Sequence, residues 1–405
     1  MGVARKALLL SAVCAVAGAA VSVYAQQKPS SGPIARYDMR AGTISGMGSM
    51  GAGSMMGMMF GGGRSNNAQH ELLLRLGSSS APAKGAPKAD HFMPPVAKLG
   101  KSVALVTPRE EREATDELPQ KPKGRILVYW GCGATAPKGQ PVVIDLSKLA
   151  AGQVPPGLWT SAIARDLGPT INNSRTFGRW PAEDGKYAKP DSSLIGAHRI
   201  AGNYSPEISF TLTKDFMAAL NSSTRTQAGG ATVLSWTGIP DATGYLAFLF
   251  GGRQGADGEM TDMVMWSSSS TRQFGGGLAD WLSPSQVAGL VRDKTVMAPS
   301  TTSCLIPAEV KRDAPDFRFG TLTAFGPEEN FAYPPRPASA STPWNLEWTA
   351  RIRHRSMTSW MEAQGMSMGG MGNSSSEGQS APQQKCKPKG GFGGLLGGVM
   401  GSSGC

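Results

Sequence analysis

Methionine is concentrated in two glycine- and serine-rich stretches of the chain, at 39–59 and 357–371. The thioether sulfur is a soft donor that suits copper(I) or silver(I), and several of these methionines stand two or three residues apart. The candidate metal ligands are Met47, Met50, Met55, Met56, Met58, Met59, Met366 and Met368. The competing interpretation is a pair of flexible arms whose methionines make adaptable apolar contacts with a surface or a partner. Because both stretches lack histidine, we expect no cofactor and keep copper(I) as the alternative.

A row of arginines is the second feature that could do chemistry. In EWTARIRHRS at 347–356, strand alternation puts Arg351, Arg353 and Arg355 on one side and Ile352 and His354 on the other. Three guanidinium groups in a row can hold the phosphate or carboxylate groups of an anionic polymer or surface. The alternatives are a solvated outer face and an edge strand protected by its charge.

Four cysteines remain once Cys14 is assigned to a leader sequence: Cys132, Cys304, Cys386 and Cys405. An even count in an exported chain is compatible with two disulfides, for which three connectivities exist. By position we expect Cys132 to pair with Cys304, and Cys386 with Cys405. No C-x-x-C spacing is present, which argues against a zinc or thioredoxin-type site.

Motifs for catalysis are missing from the sequence. The four histidines are scattered without a zinc-binding spacing, and there is no G-x-S-x-G nucleophile motif. GMGSMG at 46–51 matches G-x-G-x-x-G, but neither a strand before it nor a helix after it is predicted, so a dinucleotide site is not indicated. We therefore expect a protein that is not an enzyme.

The amino terminus has the pattern of a secretory signal peptide. Arg5 and Lys6 precede an apolar stretch at 7–20, and Val-Tyr-Ala at 23–25 forms a cleavage site. No later apolar run is long enough for a transmembrane helix. Of 405 residues, 40 are basic and 29 acidic, so the chain without Arg5 and Lys6 keeps a net charge of +9. That charge favours an anionic surface as partner, whereas no nucleic-acid recognition motif is present.

Alternating and β-branched runs predict strands in the middle of the chain. The first group comprises RILVYWG at 125–131, QPVVIDL at 140–146 and EISFTLT at 207–213, and a second group begins at residue 229. LSPSQVAGLVRD at 282–293 predicts one short helix, since it combines an N-capping serine with proline at the first helical position. Before residue 120, only HELLLRLG at 70–77 is apolar enough to form a short helix or a docking segment.

LSWTGIPDATGYLAFLFG resembles the beginning of a fibronectin type III or immunoglobulin-like sandwich. In that family a tryptophan ends one core strand and a tyrosine opens the next after a short turn, and Trp236 and Tyr245 occupy those places. The resemblance covers 230–310 and implies an interaction or spacer module without catalytic residues. The predicted helix departs from the ordinary seven-strand plan.

These patterns predict a mainly β chain with two or three sandwich-like modules and a short helix, flanked by disordered glycine-, methionine- and serine-rich arms. The expected divisions are a signal peptide at 1–25, a disordered region at 26–120, a loop-rich β domain at 121–228, an immunoglobulin-like domain at 229–312, a β segment packing on it at 313–357 and a disordered tail at 358–405.

We expect an exported bacterial protein, periplasmic or extracellular, that acts as a non-catalytic binding or scaffolding protein of the cell envelope or exterior. Its partner would be a protein or an anionic envelope polymer. The alternative function is soft-metal binding or tolerance through the methionines, and an enzyme acting on an envelope polymer is less favoured.

Overall fold

The computed structural model describes residues 32–47, 68–108, 124–150, 153, 168–182, 187–255, 260–273, 278, 281–339 and 341–363. This part of the chain is mainly β, as predicted, with three short helices. The strands are β1 (Ala35–Gly46), β2 (Gln69–Ser78), β3 (Ala89–Phe92), β4 (Val103–Ala104), β5 (Arg125–Trp130), β6 (Val142–Asp145), β7 (Thr176–Trp180), β8 (Tyr187–Ala188), β9 (Gly196–Gly202), β10 (Ile208–Leu212), β11 (Ser222–Thr226), β12 (Thr232–Trp236), β13 (Gly244–Gln254), β14 (Met260–Ser267), β15 (Ser303–Ile306), β16 (Phe317–Tyr333) and β17 (Trp348–Ala363). The helices are α1 (Leu146–Ala150), α2 (Pro284–Arg292) and α3 (Ala308–Asp313), and 3-10 turns lie at Pro95–Ala97 and Ile171–Asn173.

One ten-stranded sheet runs through the molecule in the order β6-β5-β14-β13-β16-β17-β1-β2-β7, with β8 also paired to β2. Neighbouring strands are antiparallel except at two places, where β14 pairs with β5 and β17 pairs with β1 in parallel. The strands of this sheet come from all four predicted divisions between residues 26 and 357. β17 continues beyond residue 357, where the last predicted β segment ends, to residue 363.

A sandwich forms between the strands β14-β13-β16-β17 of this sheet and a three-stranded sheet, β11-β12-β15. All neighbouring strands within these two sets are antiparallel, and β5, which pairs in parallel with β14, adds Leu127 and Tyr129 to the core between the sheets. Trp236 ends β12 and Tyr245 lies at the start of β13, with their ring centroids 5.4 Å apart in a shared core, here called the second core. β11 precedes residues 230–310 and β16 and β17 follow them, so the two facing sheets use strands from outside that range.

The helix α2 lies where the sequence predicts it. The Ser283 side chain accepts a hydrogen bond from the backbone N–H of Gln286, and Val287 and Leu290 are buried. These two side chains pack with Leu246 and Phe325 on the face of the large sheet opposite the second core. The helix thus covers the sheet from outside the sandwich and leaves the sandwich topology intact.

A second sandwich forms where β17, β1 and β2 face a four-stranded sheet, β10-β9-β3-β4. Tyr37, Met39 and Ala41 of β1 point into the core between them, here called the first core. The side chains that alternate with them, Asp38 and Arg40, point to the opposite face of the sheet. Because β1 contains charged and small residues between its apolar ones, it has no continuous hydrophobic run that would predict a strand.

The expectation of disorder at 26–120 is therefore corrected for 32–47 and 68–108, which form β1 to β4. HELLLRLG is a strand and not a helix: Leu72, Leu74 and Leu76 are fully buried in the first core, two residues apart. The period of two had been obscured by Leu73, which makes the leucine run continuous.

The predicted disulfide between Cys132 and Cys304 is present, with the two Cα atoms 5.3 Å apart. It joins the turn after β5 in the large sheet to β15 in the three-stranded sheet, and so links the two layers of the sandwich. The predicted signal peptide at 1–25, most of the predicted tail, and Cys386 and Cys405 lie outside the described residues. Among the helices of the described residues, none is long and apolar enough to cross a membrane.

Candidate binding cavity

Arginine is concentrated on one face of the large sheet, the face that points away from the first core and is here called the outer face. Residues directly opposite one another on paired strands share a face. One such row crosses five strands, from β7 to β16. It consists of Arg179, Arg75, Asp38, Arg351 and Asn330.

Asp38 is the centre of the ionic contacts on this face and is 1% exposed. Its carboxylate accepts hydrogen bonds from Arg351 Nε at 2.8 Å, from Arg40 Nε at 3.0 Å and from Arg353 Nη2 at 3.2 Å. Burial alone raises the pKa of this carboxyl group, but Arg353, Arg40 and Arg351 together outweigh burial and hold the pKa below its ordinary value. Asp38 is therefore ionised at neutral pH and fixes the positions of three guanidinium groups.

The predicted arginine stripe lies on one side of β17, as the alternation requires, but it is not a solvated cationic surface. Arg353 is 3% exposed and donates to the backbone carbonyl of Trp281 as well as to Asp38. Arg355 donates to Glu71 at 2.8 Å, and its guanidinium lies 4.0 Å from the centre of the Trp281 ring. Trp281 contacts both side chains on this part of the outer face, so Arg353 and Arg355 are partnered inside the molecule.

Arg351 instead lines a cavity of about 430 Å³ at the end of the outer face where β1 and β17 begin and β16 ends. Most protein sites for small ligands are of this size or somewhat larger. The residues that line it from the sheet are Arg36, Tyr37, Asp38, Asn330, Phe331, Ala332, Thr349, Ala350 and Arg351. Gly168, Pro169 and Trp344 close it from two loops.

Arg36 is held in place by a short turn. Its Nη2 atom donates to the backbone oxygen of Asn173 at 2.9 Å and to Asn173 Oδ1 at 2.8 Å. Asn173 in turn accepts from the backbone N–H of Thr170 at 2.8 Å and donates to Gly168 O at 3.0 Å. The loop that contributes Gly168 and Pro169 to the cavity continues into this 3-10 turn, which fixes the Arg36 guanidinium.

Trp344 supplies an aromatic wall. Its indole Nε1–H donates to the backbone oxygen of Pro334 at 2.9 Å, which fixes the ring. A ligand in the cavity would therefore contact the apolar surface of the ring. The guanidinium of Arg336 lies 5.7 Å from the ring centre. On the other face of the sheet at this end, Tyr333 stacks on Trp348 and is 47% exposed.

The first core contains a chain of hydrogen bonds between buried titratable groups. Tyr37 Oη lies 2.7 Å from His91 Nδ1, His91 Nε2 lies 2.9 Å from His198 Nδ1, and His198 Nε2 lies 2.7 Å from the carbonyl of Leu194. Because a carbonyl can only accept, His198 donates from Nε2 and, when neutral, accepts at Nδ1 from His91. A neutral His91 then accepts from the Tyr37 hydroxyl, so the whole chain has one direction.

Burial keeps every group of this chain neutral. Burial raises the pKa of Tyr37 well above its ordinary value and lowers that of His91 well below it, and for His198 the pKa is also lowered mainly by burial. His354 is buried as well, with a lowered pKa, and its Nε2 is 3.9 Å from Glu329. Tyr37, His91 and His198 thus form a neutral polar chain inside the first core, and Tyr37 is also one of the residues that border the cavity.

The metal hypothesis falls mostly outside the described residues. Met47 ends the first described segment, and the other seven candidate methionines are not described. Among the residues that are, no cluster of three or more His, Cys, Asp or Glu side chains could hold a metal ion.

Arg36, Asp38, Asn330 and Trp344 were missed from the sequence. The first two lie in a segment expected to be disordered, although ARYDMRAG does alternate charged residues with apolar or small ones. Asn330 and Trp344 carry no local signal, because only the pairing of β16 with β17 and the return of the following loop bring them to Arg351.

Searches of protein-family models, of curated proteins and of solved structures each find no match to this chain.

Proposed function

We propose that this chain is an exported, non-catalytic binding protein that holds an anionic group of a cell-envelope polymer in the cavity at Arg36 and Arg351. The observation that carries this proposal is the pair of guanidinium groups in the cavity wall, each fixed by an internal partner. Asn173 holds Arg36, and Asp38 holds Arg351. Arginine is the side chain best suited to carboxylate and phosphate, and a fixed side chain loses little conformational entropy on binding.

Export is supported by the signal-peptide pattern at 1–25 and by the disulfide between Cys132 and Cys304, since disulfides persist in oxidising compartments. The net positive charge of the chain favours approach to an anionic envelope. A binding role also fits the two sandwiches, whose rigid strands present the cavity residues in fixed register.

Sedimentation with isolated envelope material tests the proposal. The mature protein should sediment with the material at low salt, and Arg36→Gln should reduce the bound fraction severalfold, because it removes a charge from the cavity wall. Arg199→Gln is the matched control: Arg199 lies on β9 of the four-stranded sheet and pairs with Glu207 away from the cavity. Equal retention of the parent and the Arg36→Gln protein would exclude the cavity as the binding site.

Soft-metal binding by the methionine stretches remains the second candidate, supported by the spacing of Met55, Met56, Met58 and Met59. Anaerobic titration with copper(I) against a competing chelator tests it. Deletion of 48–59 and of 364–371 leaves β1 and β17 whole, because β1 ends at Gly46 and β17 at Ala363. Tight, stoichiometric binding that both deletions weaken would support soft-metal binding, and binding that neither deletion changes would exclude it.

A further inference from the structure

We infer that the ligand of this cavity is an acidic sugar unit, a pyranose that carries a carboxylate, as in a uronic-acid polymer. This inference rests on the proposed function and specifies the chemistry of the same site. It follows from three kinds of group that line the one cavity, namely fixed cations, neutral hydrogen-bond acceptors and an aromatic surface.

The cations account for the carboxylate. Arg36 and Arg351 lie on neighbouring parallel strands and on the same face of the sheet. Arg36 is paired in register with Thr349, and Asp38 with Arg351, so the two arginines are diagonal neighbours across β1 and β17. A guanidinium group can donate two parallel hydrogen bonds to a planar carboxylate, and both arginines border the same cavity.

The neutral groups account for hydroxyls. Asn330 Nδ2 donates to Glu328 Oε1 at 2.7 Å, which turns the amide so that its Oδ1 atom remains an acceptor. The side chain of Thr349 adds a hydroxyl to the same wall. A phosphate or a simple carboxylate at neutral pH carries few or no donors for such acceptors, whereas a sugar ring carries several.

The aromatic wall accounts for the ring itself. Trp344 has its polar N–H engaged by Pro334 O, so the ring offers apolar and π surface, on which the C–H face of a pyranose can pack. A cavity of about 430 Å³ accommodates one such unit together with part of the next.

Calorimetric titration of the full mature protein tests the inference. The probes are a trigalacturonate, the neutral galactose trisaccharide, inorganic phosphate and phosphatidylglycerol vesicles. We expect the trigalacturonate to bind, and the neutral trisaccharide and phosphate to bind at least about tenfold more weakly, since each lacks one of the two kinds of contact. Vesicles should not compete with the trigalacturonate.

Two variants separate the contacts. Trp344→Ala should weaken trigalacturonate binding at least about tenfold. Thr349→Val keeps the shape of the side chain and removes only the hydroxyl, so it should weaken the sugar severalfold while leaving any phosphate binding unchanged. Arg199→Gln should alter neither, and urea unfolding midpoints show whether each variant is folded.

The outcomes distinguish this inference from the proposed function. If phosphate or vesicles bind as tightly as the trigalacturonate, and Thr349→Val and Trp344→Ala do not change binding, the inference of a sugar ligand is overturned. The proposal that the cavity binds an anion then stands. If envelope material is retained regardless of Arg36, the proposed function fails and the sugar inference fails with it.

Discussion

Asp38 determines the geometry of the outer face at the scale of single residues. One buried carboxylate serves three arginines from two strands, so its loss would leave guanidinium groups buried without their main acceptor. Removing one partner of a buried ion pair leaves the other charge buried without compensation. The free energy lost in this way is larger than the stabilisation that the intact pair provides.

Asp38→Asn should therefore lower the free energy of unfolding by about 3–5 kcal/mol. It should also weaken binding in the cavity, because Arg351 loses the acceptor that orients it. Urea unfolding of the mature protein measures the first effect. Glu207→Gln, which breaks an exposed pair with Arg199, is the matched control and should change stability by less than about 1 kcal/mol. Similar losses in the two variants would contradict this account of Asp38.

The buried histidines predict a pH dependence of stability. Burial lowers the pKa of His91, His198 and His354 in the folded protein. In the unfolded chain these histidines have the ordinary pKa of about 6.5, so below that pH the unfolded chain binds more protons than the folded protein does. Stability is thus fully present above that pH and falls as the pH drops below it.

Urea midpoints at pH 7.5 and pH 5 should show this decline. In His91→Gln the decline should be smaller than in the parent, since one group that prefers to bind a proton in the unfolded state has been removed. A decline of the same size in both proteins would mean that His91 does not contribute. The contribution of Asp38 is separable, because its lowered pKa places its loss in more acidic solution.

At the scale of elements, the loop at 168–175 crosses the outer face directly over Gly77 of β2. A Cβ atom added there would lie 2.6 Å from Pro169 Cβ and even closer to Ser174 Oγ. Gly77 pairs in register with Arg36, so the absence of a side chain is what lets the cavity wall approach the sheet.

Gly77→Ala should push this loop outward, destabilise the protein by about 1–3 kcal/mol and weaken ligand binding in the cavity. Gly229→Ala is the matched control, because nothing lies within 4 Å of a Cβ atom at that turn. Calorimetry and urea unfolding of the two variants measure both effects. Unchanged binding in a folded Gly77→Ala protein would show that the loop does not shape the site.

Sequence patterns predicted the strands with continuous β-branched runs and the capped helix, because these signals are local. They missed β1, whose inward residues are Tyr37, Met39 and Ala41 and whose outward residues are charged. The arginines of β17 were predicted on one side, yet their burial depends on Trp281, some 70 residues earlier in the chain. The cavity could not be predicted, since its residues meet only through the pairing of β1 with β17.

At the scale of the whole molecule, the disulfide closes a long segment of the chain, because 172 residues separate Cys132 from Cys304. Cross-linking such a segment restricts the unfolded chain more than the folded one. Replacing both cysteines by serine should lower the free energy of unfolding by about 2–5 kcal/mol.

Thermal and urea unfolding of the double variant measure this loss. With a reductant present, the parent protein should approach the double variant, since both then lack the cross-link. If the difference in stability between the parent protein and the double variant is unchanged in reductant, the serines and not the missing disulfide cause it.

The parallel pair of β1 and β17 has a consequence for how the chain leaves the ribosome. β17 lies at the junction of the two sandwiches, between β16 and β1, and it is the last described strand. Neither sandwich can therefore complete its sheet until residues 348–363 have been synthesised. If the chain is exported as proposed, its unfinished sheets would keep it unfolded until translocation has begun.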